Sequence, residues 1–275
     1  MIHRIATIFG QEFRLARRNH WVVLATVILT LFAVSLGFFG AGQGAGLKAD
    51  VLTLTSASLA TLSVYLIPLI ALLMSYDAFA GEIERGALAL AFATPVRRWE
   101  VFAGKLIAQV SAMAIAVVLS FALAGAALAF AFGTSPEGLA AWGRLVGSAV
   151  WLGAVFVCIG LMLSAFSART ARAAAAAIGT WLVFVVLYDL ALLGGIMAAG
   201  EGVFASRVFP WLVVANPADA FRLYNLAALE TAPVAGIDGL ARTLPFPPET
   251  GLAAIALWLV AALALGIHRT KRIVP

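Results

Sequence analysis

Asp77-Ala-Phe-Ala-Gly-Glu-Ile-Glu-Arg-Gly-Ala-Leu88, running on to Thr94-Pro95-Val96-Arg97-Arg98-Trp99-Glu100 and Gly104-Lys105, is a charged insert between two long apolar runs, Leu59 to Tyr76 and Val101 to Phe132. A charged side chain placed in hydrocarbon costs a few kcal/mol, about 3 on insertion scales. The insert therefore faces water, and its flanks face lipid.

The rest of the chain repeats that contrast. Of 275 residues, 63% are hydrophobic and 11% charged, with a mean hydropathy of +1.04, where a soluble domain carries roughly 25% charged residues. A span needs about 20 apolar residues. Six stretches qualify: residues 21–39, 59–76, 101–132, 146–166, 173–197 and 251–267. The fold class expected is an all-α polytopic membrane protein with six transmembrane helices. Residues 1–20 form a separate N-terminal unit, 21–275 the six-span domain, 77–100 a coupling segment and 198–250 an outer loop.

Basic residues orient the bundle, because Lys and Arg concentrate in cytoplasmic loops. With the N-terminus inside, thirteen of the eighteen lie on the cytoplasmic side, leaving Lys48, Arg144, Arg207, Arg222 and Arg242 outside. Both termini are expected to be cytoplasmic. The net charge of +5 reflects this anchoring at the lipid surface; no basic and aromatic face extends beyond the membrane, which argues against nucleic acid as a partner. Residues 1–20 do not read as a cleaved leader, since the apolar run after them has full span length. Ile2, Ile5, Phe9, Phe13 and Ala16 share one helical face, with Arg14, Arg17 and Arg18 elsewhere, the pattern of a helix lying in the inner interface.

Chemistry-bearing motifs are sparse. Cys158 is the lone cysteine, so it forms no internal disulfide; with Met162 one turn away it makes a two-ligand soft pair, which does not close a metal site. His3, His20 and His268 lie at the membrane boundary without ligand spacing. Gly104-Lys105 lacks the upstream Gly and the following Ser or Thr of a phosphate-cradling loop. The chain has no route of its own to ATP hydrolysis through that motif. No catalytic residues and no metal site are assigned.

Tyr188-Asp189 falls inside the fifth span, where an acid is expected to face the bundle interior, a partner or a wet cavity. Three readings stand: a structural hydrogen bond or ion pair near the outer interface, a conduit lining, or a proton-coupled site. An aspartyl protease would need a second carboxylate, and Gly236-Ile237-Asp238-Gly239 in the outer loop lacks the spacing.

Within the insert, Ile83, Ala87 and Leu90 follow helical spacing while Glu82, Glu84 and Arg85 fall on other faces, so one amphipathic helix is expected along the inner surface. Gly81 and Gly86 permit a bend or a close approach. Thr94-Pro95 reads as N-cap and first residue of the third span. That places Arg97 and Arg98 in the first turn, where the helix dipole disfavours cations; lipid headgroups or an acidic groove on a soluble subunit would compensate. In the outer loop, Asn216-Pro217-Ala218-Asp219 reads as cap, first-position proline and an acid in the first turn, with Asp219 and Arg222 paired at i,i+3. Phe221 and Tyr224 of that helix can dip toward the membrane or a neighbour.

The order Glu82, Gly86, Pro95, Arg97-Arg98, Gly104-Lys105 resembles the Glu…Gly…Pro-x-x-Arg…Gly-Lys pattern of ABC-2 type transporter permeases, and the six spans extend the likeness over the whole chain. The resemblance implies that Glu82 to Leu90 is the coupling helix and that Glu82, Ile83, Glu84, Arg85, Gly86, Leu90, Pro95, Arg97, Arg98 and Lys105 couple to a separate cytoplasmic ATPase. That subunit would bind ATP and Mg, leaving this chain non-catalytic and without a cofactor. Asn216-Pro217-x-Asp219-x-Phe221-Arg222 resembles the permeases of nitrous-oxide-reductase maturation transporters. This implies a homodimer in a bacterial inner membrane, a periplasmic β-helix protein contacting the outer segments (48–57 and 201–249, including the helix that carries these residues), and a copper chaperone as a further partner. The work done would be assembly of a copper-sulfide centre, by sulfur transport or by mechanical transmission. No copper-passing Met and Cys ladder is expected. The alternatives are an ABC-2 exporter of a drug or lipid, and a secondary transporter using Asp189, which the absence of an internal repeat weakens.

Overall fold

Every element in the computed structural model is helical among the residues it describes, which are 2–17, 20–43, 50–93, 96–199, 204–227 and 246–273. In chain order they are α1 (Ile2–Arg17), α2 (His20–Gln43), α3 (Val51–Ser75), α4 (Ala80–Glu84), α5 (Ala87–Phe92), α6 (Arg98–Phe132), α7 (Pro136–Phe166) and α8 (Thr170–Trp181). A π-helical turn (Leu182–Leu187) joins α8 to α9 (Tyr188–Ala199); a second (Phe204–Val208) leads into α10 (Phe209–Ala215), α11 (Pro217–Ala227) and α12 (Glu249–Thr270). Six helical stretches are long and apolar enough to cross a membrane: Val22–Gly40, Val51–Glu84, Arg98–Phe132, Pro136–Phe166, Thr170–Ala198 and Glu249–Thr270. All six spans read from the sequence are present, and four of them extend well beyond the apolar core. The outer segment expected from Lys48 to Ala57 and the stretch from Glu201 to Glu249 lie partly outside the described residues, as do Arg18, Arg242 and Gly236 to Gly239.

The helices pack around α7. In its most apolar stretch 72% of residues are buried, against 11% in the fifth span, so α7 is the axis of the bundle and α8–α9 its outer wall. α7 lies against α3, α6 and α12, while α2 covers α6. Asp50 fixes one end: Oδ2 accepts from the Leu52 and Thr53 amides at 3.0 and 3.4 Å, capping α3, and Oδ1 accepts from Ser135 N–H at 2.9 Å in the α6–α7 turn. One carboxylate thus satisfies orphan amides on two spans.

Small residues spaced to let helices approach serve this internal packing. Ala112, Ala116, Ser120 and Ala124 are buried between α6 and its neighbours, and the Ser120 hydroxyl donates across to the Thr26 carbonyl at 3.0 Å. Gly160 faces Ser75 so closely that an added Cβ would come 2.0 Å from the Ser75 hydroxyl. These surfaces are spent within the subunit.

α1 docks on α6 through Ile8, Phe13 and Ala16. Its inward face also carries Glu12, an acid among apolar neighbours.

Candidate functional site: two ion-pair clusters at opposite ends of the bundle

Six crossings return the chain to the end at which it began, and the first cluster sits there. α3 ends at Ser75 and the chain turns through Tyr76–Phe79 into α4. The Ser164 hydroxyl of α7 accepts from the Phe79 and Ala80 amides at 2.9 Å each, holding the start of α4 against the bundle axis. At the far end of α4, Glu84 accepts from Thr170 N–H at 2.9 Å and from its hydroxyl at 2.6 Å. The expected single coupling helix is broken in two: Gly86 adopts φ 71°, a left-handed conformation that stops α4 and starts α5. Gly86 was expected to permit a bend; here it divides the segment.

Behind α4 lies the ion network. Lys105 of α6 is 2% exposed, and its ammonium donates to Glu82 Oε1 at 2.6 Å and Glu12 Oε1 at 2.7 Å. The same ammonium lies 5.5 Å from the centre of the Phe79 ring. The motif glycine beside it serves the same docking: a Cβ on Gly104 would meet the Ile8 side chain at 2.5 Å, so α1 reaches Lys105 only because residue 104 has none. Glu82, Lys105 and Glu12 thus join three elements that are far apart in sequence. They enclose, with Asp77, Arg85 and Gln109, a polar cavity of about 150 Å³. Arg85 lies along α4, its guanidinium 3.2 Å from where a Gly81 Cβ would stand.

The remaining coupling residues divide by exposure. Ile83 is half-buried against the core, Leu88 is fully buried, and Leu90 on α5 is 74% exposed. Pro95 and Thr94 lie outside the described residues. The third span begins later than the Thr94-Pro95 reading: Arg97 is the cap, extended at φ −75° and ψ 138°, and its N–H donates to Glu100 Oε2 at 2.9 Å. Arg98 is then the first helical residue. Its guanidinium donates to the Ile273 carbonyl and, at 3.4 Å, to that of Lys271, at the C-terminus of α12, and packs over the Phe92 ring at 4.8 Å. A cation at one helix's positive end is thereby offset by another helix's negative end. For Arg98, the compensation expected from lipid or from a partner comes from within the chain; the Arg97 side chain is exposed.

The second cluster is at the opposite end. Within the π turn at Leu182–Leu187, the Phe184 carbonyl accepts from Asn216 Nδ2 at 2.6 Å. Asn216 Oδ1 accepts from Ala218 N–H at 3.1 Å, so Asn216 caps α11 with Pro217 at its first position, as the sequence predicts. The Asp219 to Arg222 pair also forms, and Arg222 reaches Asp189 Oδ1 at 3.2 Å and Oδ2 at 3.4 Å. Asp189 thus makes the contact named in the first of its three readings. The neighbouring Tyr188 hydroxyl donates to the Leu212 carbonyl at 2.6 Å. Asp219, the second carboxylate near Asp189, is held by Arg222 and Asn216 Nδ2, the latter at 2.9 Å. Phe221 is fully buried rather than turned to lipid, Tyr224 is half-buried, and Asn225 Nδ2 ties α11 to α7 through the Ser148 hydroxyl at 2.9 Å.

Burial pushes the Asp219 carboxyl up to about 8, against the pull of Arg222 and with the push of Asp189. Its folded value thus exceeds the ordinary 3.8, the folded state holds the proton more tightly, and this contribution to stability fades as pH rises toward 8. The thermal midpoint of the detergent-solubilised chain is expected to fall between pH 6 and 9, and Asp219→Asn to flatten that slope. A slope identical in the variant contradicts the assignment.

Glu12, Ser164 and Thr170 were not found from the sequence. Glu12 alone left a trace, as the single acid in the first twenty residues and on the apolar face of α1. Among the described residues no cluster of His, Cys, Asp and Glu is arranged to hold a metal; Cys158 is buried in the core of α7.

Six spans, an amphipathic N-terminal helix docked on the third, and a two-part charged segment between the second and third define a permease. Residues 6–272 match the ABC-2 family transporter proteins, and the chain belongs to that family. It is 36% identical over 272 residues to the probable ABC transporter permease protein NosY of Pseudomonas aeruginosa, covering 97% of this chain and 98% of the relative. It is 34% identical over 274 residues to the protein of the same name from Stutzerimonas stutzeri, covering 98% and 99%. The chain is the permease subunit of an ABC transporter.

Proposed function

We propose that the chain forms a homodimer in a bacterial inner membrane, with both termini cytoplasmic, and that α4–α5 receives a separate ATPase that binds ATP and Mg. The observation that carries this is Leu90: in a segment whose other groups are tied to α6, α7 and α8, a large apolar side chain is left 74% exposed at the end that holds thirteen of the basic residues. An isolated exposed leucine is ordinary, but this one is carried on a short helix anchored by a fully buried Leu88.

ATP-driven approach of two ATPases would push α5 inward. α4 cannot yield alone, because Glu82 is bound through Lys105 to α6 and α1, and Ser164 binds its start to α7. The push is delivered to the bundle as a body. At the other end it arrives at α11, which is held to the fifth span and α7, and reaches a periplasmic β-helix protein. The fifth span, only 11% buried within the subunit, supplies the face for a second copy.

The likeness to NosY permeases supports maturation of the copper-sulfide centre of nitrous oxide reductase as the output, with a copper chaperone as a further partner and with sulfur transport or mechanical transmission as the means. The test is gentle purification of the tagged chain from native membranes and identification of its stoichiometric companions. An ATPase together with a periplasmic β-helix protein is expected. An ATPase alone would make this a generic ABC-2 exporter, and a folded chain recovered by itself would contradict the proposal.

A further inference from the structure

At the end of the bundle opposite the termini, α7, α11 and α12 part to leave a lateral groove of about 290 Å³, lined by Arg144, Gly147, Ser148, Trp151, Tyr224 and Leu252. One of its polar side chains is already engaged: the Ser148 hydroxyl accepts from Asn225 Nδ2 of α11 at 2.9 Å and donates, within α7, to the Arg144 backbone carbonyl at 2.8 Å. The Arg144 guanidinium and the Tyr224 hydroxyl, both half-buried, make no hydrogen bond or ion pair among the described residues. Two donors without an acceptor converge on one groove. An arginine lays its stem along apolar surface and presents its charged head outward, where an anion can meet it.

Depth identifies the occupant. From Leu145 to Phe166 α7 rises about 33 Å, close to the roughly 30 Å of a bilayer's hydrocarbon core, and the helix is apolar along that length. Arg144 therefore stands at the headgroup boundary. Gly147 and the exposed Trp151 follow it on the same face, one and two turns deeper, with Leu252 across the groove. Basic residues are scarce at this end. Of the three arginines described there, Arg222 is paired and Arg207 lies outside the groove. A cation at the mouth and an apolar trough running into the membrane match a phosphodiester with an acyl tail.

We infer that this groove binds one anionic phospholipid, its phosphate on Arg144 and Tyr224 and its chain along Gly147, Trp151 and Leu252. The inference is independent of the ATPase partner and of the transporter's output. A lipid seated there lies beside the Ser148–Asn225 link and wedges the seam by which α11 is held to α7.

The experiment is native mass spectrometry of the purified chain in neutral detergent, titrated with phosphatidylglycerol and, separately, with phosphatidylcholine. One tightly retained phosphatidylglycerol per chain is expected, with occupancy about tenfold lower in Arg144→Gln, the size of one lost charge-assisted hydrogen bond. Arg144 has no protein partner to orphan, so that variant should fold. Gly147→Leu fills the trough, and a Cβ at Gly147 meets nothing within 4 Å; it should lose the lipid to a similar degree. Arg144→Lys should retain most of it and Arg207→Gln all of it. Equal occupancy in the wild type and both groove variants overturns the inference. So does displacement by millimolar inorganic phosphate, which would mean a soluble anion with no use for the trough, and so does equal retention of phosphatidylcholine.

Discussion

At pH 9, where Asp219 is ionised, replacing Arg222 with methionine should destabilise the chain by about 4 kcal/mol, the middle of the range for breaking a buried ion pair by removing one partner. The reason is what stays behind. Asp219 is 1% exposed and Asp189 19%, and Arg222 is bonded to both. Methionine keeps much of the volume and leaves two carboxylates facing each other without their cation. At the same pH Asp189→Asn should cost far less, since the ionised Asp219 still pairs with the arginine. Arg222→Lys should fall between, because an ammonium is a point donor where the guanidinium holds Asp189 with Nη1 and Nη2 together and Asp219 with Nη2. Thermal unfolding in detergent ranks the three. If Asp189→Asn proves the most damaging, the arginine is not the keystone of the outer end, and a conduit role for Asp189 returns.

The second large effect is expected at the other end. Lys105→Met should destabilise by about 3 kcal/mol, the lower part of the same range, because Glu12 and Glu82 are 16% and 24% exposed and water reaches them once the ammonium is gone. Glu82→Gln leaves the Glu12 pair intact and should cost about 1 kcal/mol, the worth of one ordinary hydrogen bond. The more telling readout is mechanical. Loss of Lys105 unties α4 from α6 and α1 together, so amide exchange should rise in α1 and α4 while α7 stays protected. ATPase activity of a reconstituted complex should lose its dependence on the permease. Uniform deprotection of all helices would mean instead that Lys105 merely holds the fold.

The six spans were legible because the hydropathy contrast extends over about 20 residues and no local detail overrides it. Asn216 as cap of α11 was legible for a related reason: the cap, the proline and the acid interact within three residues. What sequence reasoning missed depends on partners far apart in the chain. Lys105 reads as surface charge until α1 brings Glu12 beside it. Arg98 reads as exposed in a helix's first turn until the last carbonyls of α12 arrive, 173 and 175 residues away. The single coupling helix failed locally, because helical spacing from Ile83 to Leu90 cannot show that Gly86 takes the left-handed conformation that only glycine adopts freely. The π turn in the fifth span left no mark in its apolar sequence, although Asp189 just after it did.

Coupling at this end requires that α5 is where a soluble subunit docks. A photo-crosslinking amino acid at Leu90, introduced into the tagged chain in its native membrane, reads this directly. One dominant adduct, an ABC ATPase, is expected at position 90 and none when the same probe replaces the 56% exposed Leu139 at the opposite end. An ATPase captured at neither position, with the chain intact and in the membrane, or captured equally at both, would contradict it.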